Sequence, residues 1–181
     1  MDEQLEGSTQ FEYVSSEDTA SYEKFARDKF LNRLPVSIPI LKPDLERLEN
    51  FDQMITSHGG LDLLVLAIGV KGHYAQVMPG TSIETGFHVT KLISELAQVH
   101  TQKGSSSYEG AHFREYGMSL GPKQVLEAKN IIVMITGESK RELTQELLSY
   151  DSFDQNFPLS IIHNPSVQAK THLLISREVM T

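Results

Sequence analysis

The chain has 181 residues, 39% of them hydrophobic and 22% charged, with 16 basic and 24 acidic side chains for a net charge of −8. This length suits a single domain, residues 1–181, able to bury a real core. The absence of cysteine excludes a disulfide framework and thiolate chemistry and fits a reducing compartment such as the cytoplasm. No basic stripe is present, so nucleic acid is not the expected partner. The longest apolar run, residues 61–70, contains Asp62 and is strand-sized, so no membrane partner is expected. The acidic, polar start resembles neither a signal peptide nor a transit peptide. A small anionic ligand remains compatible with the negative charge, because one helix N-terminus and one lysine suffice to bind a phosphate.

Residues 1–18 are polar and read as a loop. Thr19 or Ser21 can cap a helix with Tyr22, Phe25, Ala26 and Phe30 on one face. Residues 34–43 hold three prolines and read as extended. Pro43-Asp44 opens a second helix, with Leu45, Leu48, Phe51 and Met54/Ile55 at helical spacing and Gly59-Gly60 as its stop. Residues 61–68 are nearly all apolar and end at a glycine, the pattern of a strand buried on both faces of a parallel sheet. Residues 69–86 carry four glycines and Pro79, a loop composition. Further on, residues 87–92 suggest a strand, 93–102 a helix, 104–110 a flexible stretch, and 123–129 a short helix. A second buried strand at 130–136 passes through Gly137 into a helix at 138–150, and a last strand follows at 171–176. Strand, glycine turn and helix in repetition predict an α/β fold: a mostly parallel, Rossmann-like open sheet with helices on both faces. In such sheets ligands sit beyond the carboxyl ends of the strands, so the turns at 69–73 and 137–140 mark the expected site.

His73 follows the first buried strand between glycines that let backbone approach a ligand, and its imidazole can move protons near neutral pH; a loop histidine without a chemical role is the plainer alternative. Lys140, in Gly137-Glu138-Ser139-Lys140, adds an ammonium to the free N–H groups of a helix start, a phosphate-binding arrangement; it could equally be a solvated surface lysine, with Arg141 serving instead. Asp2 and Glu3 form an acidic pair at a terminus that would ordinarily fray. His58, His88, His100, His112, His163 and His172 show no metal-ligand spacing, so no metal site is expected. Ser105-Ser106-Ser107 lacks a nucleophile-elbow pattern, and the glycines near residue 70 match neither a dinucleotide nor a P-loop fingerprint.

Ile68-Gly69-Val70-Lys71-Gly72-His73, followed by Pro79-Gly80-Thr81-Ser82, resembles the G-x-G-x-D-G-H…P-G-[ST]-[ST] segment of the glucosamine- and galactosamine-6-phosphate isomerases/deaminases, which is related to that of the 6-phosphogluconolactonases. Gly137-Glu138-Ser139-Lys140 is similar to the family's G-x-x-K turn. Residues 21–30 are similar to its S-Y-x-x-[FM] helix, and Met1-Asp2-Glu3 to its [ML]-D-E motif at a strand end. Lys71 stands where the family usually has Asp. Met78 stands where the deaminases have Glu, which a galactosamine-6-phosphate isomerase-like branch also lacks.

The resemblance implies aldose–ketose isomerisation of an amino-sugar 6-phosphate, with or without loss of ammonia, and no metal or organic cofactor. His73 would shuttle the ring-opening proton, and Asp2, with Glu3 beside it, would move the C2 proton. Lys140 would hold the phosphate, helped by the backbone at Gly69, Gly72 and Gly137. A 6-phosphogluconolactonase-like hydrolase, with His73 activating water, and a non-catalytic sugar-phosphate-binding protein are the alternatives. The family's Gly/Thr-rich phosphate loop precedes the [ML]-D-E motif, so the resemblance implies a chain incomplete at its N-terminus. A sheet lacking early strands would expose an edge, which predicts homo-oligomerisation or instability.

Overall fold

The computed structural model describes residues 2–96 and 114–181. In chain order the elements are β1 (Glu3–Glu6), β2 (Glu12–Tyr13), α1 (Tyr22–Lys29), α2 (Leu48–Ser57), β3 (Leu64–Ala67), β4 (His88–Lys91), β5 (Tyr116–Ser119), α3 (Pro122–Glu127), β6 (Ile131–Ile135), α4 (Arg141–Leu148), α5 (Pro165–Gln168), β7 (Thr171–Ile175) and α6 (Arg177–Met180). Short 3-10 turns lie at Val70–Gly72, Glu138–Lys140 and Pro158–His163. The expected helix at 93–102 falls largely, and the glycine-rich stretch at 104–110 wholly, outside the described residues. So do Met1, His100, His112 and Ser105-Ser106-Ser107. Among the described residues no helix is long and apolar enough to cross a membrane.

The fold is mixed α/β, with its strands divided between two sheets. β3, β6 and β7 pair in parallel in the order β3-β6-β7, with Ala67 beside Met134 and Met134 beside Leu174. β2, β1, β5 and β4 form an antiparallel sheet in that order. The expectation of a mostly parallel sheet therefore holds for three strands and fails for four. The reason lies in β1, a strand where a polar loop was expected. Its Glu3 and Gln4 are fully buried, and pattern reading takes such residues for surface.

The inward side chains of the parallel sheet, Leu64, Leu66, Ile131, Val133 and Ile135, share one core with Val125 of α3, Leu147 of α4, Val167 of α5, Val179 of α6, and Leu159 and Ile161 of the 158–163 turn. Helices α3 to α6 thus sit on one face. On the other, Val65, Met134 and Leu174 are 55%, 45% and 53% exposed. The expectation of helices on both faces is corrected accordingly for the described residues. Continuous apolar sequence ordinarily signals two covered faces, whereas here every second side chain points outward, uncovered by any described helix.

Candidate active site

Beyond β3 the chain turns tightly. The Gly72 N–H donates to Gly69 O at 3.0 Å, and the Gly69 N–H donates to His73 O at 2.7 Å. Lys71 takes a left-handed conformation, φ 56. The loop folds the His73 imidazole back onto Gly69, where a Cβ would fall 1.9 Å from Cε1 and 2.2 Å from Nε2. Only glycine leaves the ring that space. Gly72, at φ 70, turns its bare side to the Phe157 ring, 2.5 Å from where a Cβ would stand. His73 is 7% exposed, and its Nδ1 lies 2.7 Å from Val70 O. A carbonyl can only accept, so Nδ1 carries a proton and donates it to Val70 O.

Asp2 immediately precedes β1 and meets the end of β5. Its carboxylate accepts from the Ser119 hydroxyl at 3.4 Å and from the Leu120 N–H. Burial pushes the Asp2 carboxyl up to about 6, with these hydrogen bonds acting in the opposite direction. Ser119 Oγ also accepts from the Gln76 N–H at 3.0 Å, so one hydroxyl joins Asp2 to the loop that carries His73. Ser119 was not picked out from the sequence. Its partners lie 117 and 43 residues away, and no local spacing signals them.

Asp2 and His73 line the same cavity, about 360 Å³ in volume, whose other walls are the carboxyl half of β3, Gly69, Ala75 and Leu120. The structure therefore brings together an imidazole and a raised carboxyl that are 71 residues apart in sequence.

The other nominated residues fall differently. Glu3 is absent from the cavity wall. Its carboxylate faces the start of α1, accepting from Ser21 Oγ (2.8 Å), Tyr22 N (2.9 Å) and Glu23 N (3.0 Å), and from Gln4 N (3.0 Å). Gly137, at φ 90, turns the chain from β6 into the Glu138–Lys140 turn. Lys140 thus stands at the same sheet edge as His73, and α4, which follows it, packs on the Val70–Gly72 turn. It does not line the cavity. Among the described residues its ammonium meets no acidic partner, and burial lowers its pKa from the usual lysine value. Arg141 is engaged with Glu138 Oε1 and Glu178 O. The Lys71 ammonium is paired with Glu95 at 2.5 Å. That hydrogen bond holds the Glu95 carboxyl down to about 2.

A histidine and a carboxyl facing one cavity at the edge of a parallel sheet are groups able to exchange protons with a ligand held there. Comparison with known proteins narrows the class. The family model described as glucosamine-6-phosphate isomerases/6-phosphogluconolactonase matches residues 12–172. Glucosamine-6-phosphate deaminase 1 of Bacillus subtilis is 28% identical over 172 residues, covering 91% of this chain and 68% of its own length. A solved monomeric glucosamine-6-phosphate deaminase superposes with a TM-score of 0.79 at 26% identity, covering 99% of this chain and 71% of that one. The 6-phosphogluconolactonase of Trypanosoma brucei shares the fold with a TM-score of 0.62 at 18% identity, covering 98% and 70%.

The chain belongs to the glucosamine-6-phosphate isomerase/6-phosphogluconolactonase family. It spans about half to about two thirds of the length of the curated deaminases it matches. The matched span includes His73 and Lys140 but begins after Asp2 and Glu3.

Proposed function

We propose that this protein is an amino-sugar-6-phosphate isomerase, with glucosamine 6-phosphate or galactosamine 6-phosphate as substrate. The observation that carries the reading is the cavity shared by Asp2 and His73. Converting an aldose to a ketose needs a proton delivered to the ring oxygen and taken from the C1 hydroxyl on opening, then a proton moved from C2 to C1. His73 serves the first step, with Nδ1 held by Val70 O and the imidazole exchanging the ring-opening proton through Nε2. Asp2 serves the second. A carboxyl titrating near 6 is ionised enough to take the C2 proton at neutral pH and basic enough to return it at C1. Proton transfer from C2 to C1 of the open amino sugar leaves an imine at C2, and water adding there releases ammonia and the ketose.

Lys140, with no acidic partner among the described residues, is the cation for the 6-phosphate, beside the Gly137 turn; the Gly69 and Gly72 N–H groups are taken up within their own loop and give it no support. Met78, buried where deaminases carry Glu, favours the galactosamine-6-phosphate isomerase-like branch. Sugar phosphates are intracellular metabolites, so the reading places the protein in the cytoplasm, and the bare sheet face favours a homo-oligomer.

The test is incubation with glucosamine 6-phosphate, galactosamine 6-phosphate and 6-phosphogluconolactone, following ammonia, ketose and acid. Ketose formation supports the proposal. Acid from the lactone alone assigns the hydrolase reading, with His73 activating water. Binding without turnover of any of the three leaves a sugar-phosphate-binding protein.

A further inference from the structure

We propose that Glu3, although adjacent to Asp2, is a positioning residue: its buried carboxylate caps helix α1 and thereby locks the start of β1 so that Asp2 is held in the cavity. The inference rests on the reading of Asp2 as the group that moves the C2 proton.

Successive residues of an extended chain point to opposite sides. Asp2 turns toward Ser119, Leu120 and the cavity, and Glu3 turns toward α1. Both Glu3 carboxylate oxygens are committed. Oε1 accepts from the Tyr22 and Gln4 N–H groups, and Oε2 accepts from the Glu23 N–H and the Ser21 hydroxyl. The acceptors meet backbone donors at a helix start, where an anion is best placed. Ser21 completes the arrangement by accepting from the Lys24 N–H at 3.2 Å. The nearest cation, Lys42 Nζ, is 3.7 Å from Glu3 Oε2 and 2.6 Å from Glu23 Oε2. A carboxylate with four donors and no exposure has neither a free lone pair for substrate nor a path to it. On the other side of the same backbone, Glu3 is opposite Met118 in the β1–β5 ladder. The strand start is therefore fastened by the ladder and by the helix at once, leaving Asp2 little freedom. Such fastening is what a base needs, since displacement of a reacting group by about 1 Å costs on the order of 100-fold in rate.

The experiment uses the full chain, wild type and Glu3→Gln. A neutral amide keeps the shape but presents an NH2 group to donors that need an acceptor. Two readouts are taken: kcat and KM for glucosamine 6-phosphate across pH, and the titration of the Asp2 carboxyl followed by carbon-13 NMR on aspartate-labelled protein. The expected result is a kcat loss on the order of 10- to 100-fold with KM within about twofold. The pH–rate profile keeps all its limbs, and the Asp2 midpoint falls from about 6 toward the ordinary carboxylate range, both because the Glu3 charge that raises it is lost and because the group loosens into water. Loss of one limb of the profile would make Glu3 an acid–base group and overturn the proposal. So would an Asp2 midpoint equal to wild type in a folded variant. If wild type turns over none of the sugar phosphates, the proposed function fails, while NMR on Ser21→Ala still decides the role of Glu3. Ser21→Ala keeps the Glu3 charge, removes one of the four donors and so isolates the loosening; it is expected to move the Asp2 midpoint in the same direction by less, whether or not Glu3→Gln folds, and no movement overturns the proposal.

Discussion

Gly69→Ala separates the site from the fold. Gly69 has φ −106, a conformation alanine adopts without strain. The added Cβ would stand 1.9, 2.2 and 2.5 Å from Cε1, Nε2 and Nδ1 of His73, against an ordinary contact of about 3.5–4 Å. The ring must therefore withdraw by about 1.5–2 Å. That movement gives up the 2.7 Å hydrogen bond from Nδ1 to Val70 O, a loss of about 0.5–1.5 kcal/mol. Alanine also restricts the unfolded chain, which stabilises by about 0.4–1 kcal/mol. The two contributions nearly cancel, so Tm is expected to shift by no more than about 4 °C. Catalysis has no such compensation: a misplaced acid–base group costs about 100-fold or more. The assay is kcat on glucosamine 6-phosphate beside a thermal melt. A folded Gly69→Ala variant keeping more than about a tenth of wild-type kcat would refute the role given to His73. Gly72→Ala is the contrast, since φ 70 and the Phe157 ring at 2.5 Å make it a stability defect of at least about 1–2 kcal/mol.

Lys140→Met is expected to raise KM for the phosphorylated sugar at least about tenfold with little change in kcat, because uniform binding is what a phosphate clamp supplies; an unchanged KM would remove Lys140 from the site. Lys71→Asp is expected to raise the isomerisation rate, since an aspartate tolerates φ 56 better than lysine and favours a charged His73; an equal or lower rate counts against that account. Burial raises the Asp2 carboxyl from 3.8 to about 6, so the folded state holds this proton more tightly than the unfolded chain does. The resulting stabilisation is complete below about pH 4 and is lost as pH rises through about 6, at most about 3 kcal/mol in all. Asp2→Asn should flatten that decline in a urea titration at several pH values, and an unaltered pH dependence would argue against the burial of Asp2. Replacing Val65, Met134 and Leu174 together by Thr, Gln and Thr should reduce self-association in sedimentation while changing stability by about 0.5 kcal/mol or less per site. Undiminished association would show that copies meet elsewhere.

The parallel sheet was legible because its strands are apolar runs ended by Gly69 and Gly137, and those glycines also pointed to the edge where His73 and Lys140 stand. β1 was not legible. Glu3 is buried against the N–H groups of Tyr22 and Glu23, and Gln4 Oε1 accepts from the Arg114 N–H at 2.7 Å. Polar residues satisfied by distant backbone carry no mark in a hydrophobic pattern. The bare face of β3, β6 and β7 was hidden for the opposite reason: Val65, Met134 and Leu174 sit in runs whose composition signals burial on both sides.

The same limit divides the acidic pair. Read as neighbours, Asp2 and Glu3 invite one shared chemical role; strand alternation sends them to opposite sides of the backbone, where the surroundings decide. Asp2 meets a cavity and is left with a raised, titratable carboxyl. Glu3 meets four donors at a helix start, which satisfy its charge. Ser119 then ties Asp2 to the loop of His73 through the Gln76 N–H. The proposed proton transfer at two carbons and a ring oxygen would require those two groups to keep their separation during turnover. Here that separation is held by a hydroxyl bridge on one side and a capped helix on the other, and the bridging Ser119 lies outside every motif read from the sequence.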